Sequence, residues 1–182
     1  MTHSEERSVA HLLARLFVGL WPPQEVRDAI LDDIQRWTWP RGAAPVRGDK
    51  LHMTLHFLGF VARERVPELV QALHVGFEPF ELTLDRGEVW PGGIAVLRPS
   101  AAPPALRELH RGLHRALGPL GVRSARHHLK PHITLARRAQ GAEPPVQCEA
   151  IHWSVRDYVL VESDLRPPTQ YIVRGRYASP DA

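Results

Sequence analysis

Leu51-His52-Met53-Thr54-Leu55-His56-Phe57 and Pro131-His132-Ile133-Thr134-Leu135 are the two segments on which the fold turns. Each alternates apolar and polar residues, the period-two pattern of a half-buried strand. Successive strand side chains point to opposite faces. Leu51, Met53, Leu55 and Phe57 are therefore expected in the core, with His52, Thr54 and His56 on the other face. In the second segment Ile133 and Leu135 turn inward, and His132 and Thr134 share the outer face. Each strand thus displays an imidazole and a hydroxyl about 7 Å apart, two residues of strand rise. With 11 histidines in 182 residues, two chance matches to His-x-Thr-Leu come to roughly one in a thousand.

Outward from these strands the pattern is strand, helix, strand, helix, hairpin, helix, strand, strands. Arg15 to Leu20 forms a buried strand, and Pro22 and Pro23 suit the first turn of a helix reaching Trp37. That helix turns Val26, Ile30, Ile34 and Trp37 to one side. Trp39 to Asp49, with two prolines and two glycines, is loop. A second helix spans Arg63 to Val75, with Val66, Leu69, Val70 and Leu73 inward. Phe80 to Val89 and Ile94 to Leu97 pair around Trp90-Pro91-Gly92-Gly93. A third helix runs from Pro104 to Leu117 and ends at Gly118-Pro119. Lys130 to Ala136, Ile151 to Val161 and Gln170 to Tyr177 complete the strands. This order predicts an α+β protein with mostly antiparallel sheet. Each half places a helix before a His-x-Thr-Leu strand, a hint of duplication.

Composition bounds the function. A length of 182 residues and a hydrophobic share of 43% suit one compact domain, 1–182, with residues 1–8 as a polar tail. The formal charge of +3 is modest but suits an anionic substrate. Cys148 is the sole cysteine, so no intramolecular disulfide forms and a cytoplasmic home is expected. No apolar run approaches membrane-spanning length.

Two histidines on facing strands suit phosphodiester chemistry. Imidazole titrates near neutrality, so one ring can act as base while the other acts as acid. Threonine hydroxyls can donate to non-bridging oxygens in the transition state. The design calls for no metal and no cofactor.

With these motifs and their flanks the chain resembles the two-histidine phosphoesterase superfamily, and within it the RNA 2′,3′-cyclic phosphodiesterases, also called 2′-5′ RNA ligases. The likeness extends from Leu16-Phe17-Val18-Gly19-Leu20 through the Gly87 to Leu97 hairpin and Lys130 to Arg137. It ends with Tyr158 to Ser163 and the Tyr171 strand. It implies a bilobal, pseudo-two-fold fold, with two mostly antiparallel sheets, helices outside and a central cleft. It implies hydrolysis of 2′,3′-cyclic phosphate ends of RNA or nucleotides to 2′-phosphates. A monomer without membrane attachment is expected. By the resemblance His52 is the proton donor, His132 the acceptor, and Thr54 and Thr134 bind phosphate. Arg137 matches an arginine that holds phosphate or nucleotide. Phe57 matches a position where an aromatic touches the base, although alternation sends it to the core. Ligation through the same site, or binding by an inert site, are the alternatives. The chain departs from the family pattern in the short, proline-bearing stretch after Arg137 and in Pro167-Pro168-Thr169-Gln170 before Tyr171.

Several other residues invite two readings. His56 touches substrate or faces solvent. His110 and His114 have a zinc-compatible spacing, yet Arg111 stands where a zinc protease carries Glu, so surface histidines are expected. Lys130 and His127-His128 line the cleft or belong to a solvated loop. Trp90 stacks on a base or packs in the core.

Overall fold

The computed structural model describes residues 12–122 and 129–179, so the expected tail 1–8 and His127-His128 lie outside the described residues. Strand β1 (Leu13–Leu20) leads into α1 (Gln24–Gln35), which Pro23 precedes as an extended residue. A two-residue strand β2 (Ala44–Pro45) and a 3-10 turn (Gly48–Lys50) come before β3 (Met53–Ala62). A second 3-10 turn (Arg63–Arg65) opens into α2 (Val66–Ala72). Then follow β4 (Phe80–Leu84), β5 (Arg86–Trp90), β6 (Ile94–Arg98) and α3 (Pro104–Leu117). The last strands are β7 (Ile133–Arg137), β8 (Ile151–Val155), β9 (Asp157–Asp164) and β10 (Gln170–Ala178).

The strands lie in the order β10-β9-β1-β3-β7-β6-β5, with β2 also on β7, and β4 pairs separately with β8. Every registered pair is antiparallel. The β10-β9-β1-β3 lobe meets the β7-β6-β5 lobe through one registered pair, Met53 with Ile133. This is the bilobal α+β arrangement, with helices on the outside. Ala14, Leu16, Val18 and Leu20 of β1 are buried in a core shared with Val26, Ile30 and Ile34 of α1 and with Leu106, Leu109, Leu113 and Leu117 of α3. Those helical residues recur every three or four positions, which keeps them on one side of each helix. Phe17, Val159 and Val161 form a second apolar cluster on the other face of β1 and β9, with Trp21 and Tyr171 packed against it.

Two expected elements divide. The run Phe80 to Val89 breaks at Asp85, whose carboxylate accepts from the Ser100 N–H and hydroxyl at 2.6 Å each. That side-chain bond competes with a continuous ladder. β4 therefore joins β8, and only β5 forms the hairpin with β6. Ile151 to Val161 divides likewise at Arg156. The second helix is shorter than the Arg63 to Val75 expectation, because the buried Tyr158 hydroxyl donates to the Leu73 carbonyl at 2.6 Å and accepts the Val75 N–H at 2.9 Å. The Trp39 to Asp49 stretch, read as loop, contains β2 and the first 3-10 turn.

The alternation of β3 fails after Leu55. Opposite β1, Thr54 pairs with Gly19, His56 with Val18, Phe57 with Phe17, Gly59 with Leu16 and Phe60 with Arg15. Leu55 and Leu58 are thus the extra residues of two bulges, and each bulge resets which face the next side chain takes. Phe57 is 41% exposed, not in the core, and His56 is 3% exposed, not on the open face.

Candidate active site

The Met53–Ile133 pair organises the site. Both side chains are fully buried. Their neighbours on each strand must then point the opposite way. The antiparallel sense aligns His52 with Thr134 and Thr54 with His132. A local two-fold axis at this pair accounts for the duplication visible in the sequence.

The two imidazoles are held identically. The Nδ1–H of His52 donates to the Lys50 carbonyl at 2.7 Å, and that of His132 to the Lys130 carbonyl at 2.7 Å. A carbonyl only accepts, so each bond fixes the tautomer and leaves Nε2 for other chemistry. Both rings titrate below the ordinary imidazole value. Burial is the main cause for His52, and the nearby His132 and Arg137 charges add to it against the opposing Lys50 bond. Burial also lowers His132, opposed by its bond to Lys130.

Their surroundings differ. His52 lies 4.6 Å from the Phe17 ring, 5.4 Å from Tyr171 and 5.9 Å from Trp21, centroid to centroid. Gly19 makes this packing possible: a Cβ there would stand 2.7 Å from the Met53 carbonyl oxygen. His132 has Trp90 at 4.5 Å. The Trp90 indole N–H donates to Glu88 at 2.9 Å, and Glu88 pairs with Arg98 at 2.5 Å. Beside them opens a cleft of about 340 Å³, lined by Glu88, Trp90, Arg98, Leu129, Lys130 and Pro131. Trp90 is therefore half-buried against the second histidine, neither a core residue nor a free tip. Its proximity, like that of Trp21, joins segments distant in sequence and has no local signature.

Arg137 is exposed, within electrostatic reach of His52 and Tyr171, and makes no ion pair among the described residues. Lys130 contributes its carbonyl to His132 and is one of the residues lining the cleft. Lys50 donates to the Thr169 carbonyl and lies 5.6 Å from the Tyr171 ring centre. His56, by contrast, is not brought to the site. Its Nε2–H donates to the His110 carbonyl at 2.9 Å, and its ring stacks on His110 at 4.1 Å, with His114 at 6.2 Å. Among the described residues no group of three or more His, Cys, Asp or Glu could hold a metal ion. Nor is any described helix long and apolar enough to cross a membrane. A groove of about 360 Å³ elsewhere is lined by Glu25, Asp32, Asp33 and Glu149 with Arg36 paired to Glu149, so its acids outnumber its one arginine and disfavour phosphate.

Known proteins share this frame. An RNA 2',3'-cyclic phosphodiesterase of Thermus thermophilus is 34% identical over 172 residues, covering 84% of this chain and 83% of that protein. One from Escherichia coli is 32% identical, covering 90% and 96%. Among solved structures, E. coli LigT complexed with NADP+ superposes with a TM-score of 0.81 at 28% identity, covering 92% of this chain and 98% of that one. Residues 22–167 match the 2'-5' RNA ligase superfamily, and the chain belongs to that family.

Proposed function

We propose that the chain hydrolyses 2′,3′-cyclic phosphodiester ends of RNA to 2′-phosphates, using His52 and His132 as the proton-transferring pair. The observation that supports this reading is the pairing of the buried Met53 and Ile133, from which strand alternation turns both main-chain-held histidines and both threonines to the opposite face. The relatives' activity on RNA 2',3'-cyclic phosphodiesters supports the substrate class.

The cyclic phosphate sits between the strands. His132 Nε2 takes a proton from water as its oxygen bonds to phosphorus. The P–O3′ bond breaks on the opposite side, and His52 Nε2–H delivers its proton to O3′. The products are a 3′-hydroxyl and a 2′-phosphate. Thr54 and Thr134 donate to the non-bridging oxygens, and Arg137 neutralises the phosphate charge. In the free protein His52 resists protonation. The phosphate anion reverses that, because an adjacent opposite charge favours imidazolium. Ligation is the reverse reaction through the same groups, and abundant water favours hydrolysis.

An RNA ending in a 2′,3′-cyclic phosphate, incubated with the protein in excess EDTA, should yield a 2′-phosphate end at undiminished rate. No turnover, or turnover abolished by chelation, would refute this mechanism.

A further inference from the structure

The double bulge in β3 has a second effect. Thr54, Phe57 and Phe60 all stand opposite β1 residues of the cleft face, namely Gly19, Phe17 and Arg15. Directly opposed residues share a face. Phe57 and Phe60 are 41% and 64% exposed, and Val173, two strands beyond Phe17 in the same row, is 43% exposed. Phe57 and Phe60 thus extend outward from Phe17, the ring that touches His52, while Val173 is set apart from them by the buried Phe17 and Val161.

Arg15 lies on this face. Its guanidinium carbon stands 4.8 Å from the Phe57 ring centre. It sits two residues from Phe17 along β1, about 7 Å further from the site. Most arginines on the neighbouring edge are matched to acids: Arg63 and Arg174 to Glu162, Arg166 to Asp164 and Arg176 to Asp157. Arg15 and Arg137 have no ion pair among the described residues, and both act electrostatically on Tyr171. Two unpaired cations and exposed aromatic rings, continuous with the histidine pair, are the ingredients of a single-strand track. Phosphate meets arginine, and bases stack on rings without regard to sequence.

We propose that Arg15, flanked by Phe57 and Phe60, holds the nucleotide preceding the cyclic end, so that the substrate is an RNA strand rather than a cyclic mononucleotide. This rests on the hydrolysis proposed above. The phosphate 5′ to the terminal nucleotide pairs with Arg15, and the preceding base lies on the Phe57–Phe60 surface. A cyclic mononucleotide has no group for either.

The test compares adenosine 2′,3′-cyclic phosphate with a short oligoribonucleotide ending in the same cyclic adenosine. The expected kcat/KM for the oligonucleotide exceeds that for the mononucleotide by about tenfold or more. Arg15→Ala and Phe60→Ala should each shrink that ratio, mainly through KM, by about fivefold to tenfold. Arg15→Ala should also reduce the salt slope of oligonucleotide binding by about one. Equal wild-type efficiency on both substrates, or a variant that lowers both equally, overturns the strand site and leaves hydrolysis standing. If the wild type cleaves neither, hydrolysis fails. Fluorescence anisotropy with a 2′-phosphate-ended oligonucleotide then reads the strand site alone, and Arg15-dependent binding supports it. A mass that doubles with concentration, and does so no longer in Phe60→Ser, assigns the face to a second copy and overturns the proposal.

Discussion

Strands β3 and β7 carry the same four-residue chemistry and end differently. Both hold a histidine through Nδ1 to the carbonyl two residues earlier, at the same 2.7 Å. Beyond the shared motif, β7 ends after 5 residues with one bulge, at Leu135 against β6, while β3 runs for 10 with two, at Leu55 and Leu58 against β1. Among the described residues, His52 is flanked by three rings, and His132 by one indole beside an open cleft. The repeated part suits a reaction that needs an acid and a base of one kind. The unrepeated part gives the two sides different neighbours, and so different partners for the two ends of a substrate.

The largest effect should come from breaking the repeated part. His52→Ala and His132→Ala are each expected to lower kcat/KM by about 10²–10⁴-fold on an RNA cyclic end, the usual worth of a positioned acid or base. Replacing O3′ with sulfur gives a leaving group that needs little protonation. On that substrate His52→Ala should recover most of its loss, and His132→Ala should not. Recovery in His132→Ala instead would exchange the two roles.

The repeat was legible in the sequence because its pattern is local. Alternation around Met53 and Ile133 placed His52, Thr54, His132 and Thr134 on one face, and the structure agrees. The third helix, Pro104–Leu117, has the expected bounds, since proline at its start and glycine at its end are local signals too. The bulges and the walls around the histidines were far less legible. The bulge at Leu55 arises where β3 meets β1 beside Gly19, with no local signal; the one at Leu58, opposite Leu16 and Phe17, is marked only by Gly59, whose φ of 71° is a local sign of a bulge. Extending the alternation through them misplaced both Phe57 and His56. Trp21, Trp90 and Tyr171 reach the histidines only through tertiary packing, which no spacing encodes.

The asymmetry of the walls makes the next test. Tyr171→Ala uncovers His52 and should lower kcat/KM by about tenfold, a transition-state cost of about 1.4 kcal/mol. Ring NMR should show the His52 titration moving up toward 6.5, because burial is the main cause of its depression. Trp90→Ala should do the same to His132 and leave His52 close to its starting value. A common shift of both rings would mean that the walls are not separate. Gly19→Ala probes the bulge between them. Its Cβ would meet the Met53 carbonyl at 2.7 Å, and backbone there yields little. A loss of about 1–3 kcal/mol in denaturant unfolding is expected.

The smallest effect on catalysis should come from His56, the histidine that the bulge removes from the cleft. His56→Leu should change kcat/KM at pH 7 by less than about twofold, whereas a fall of the size expected for His52→Ala would return it to the site. Its effect belongs to stability in acid. Burial lowers the His56 value, and burial together with the His56 and His114 charges lowers His110 to about 4. The unfolded chain titrates near 6.5, so between that value and about 4 it binds protons that the folded chain refuses. Stability from these rings is complete above 6.5 and is lost as pH falls toward 4. The melting temperature of the wild type should decline across that window. His56→Leu removes one depressed group and one neighbouring charge from the stack, so its decline should be shallower. A parallel decline in both proteins would show that the stacked histidines do not govern the acid limb.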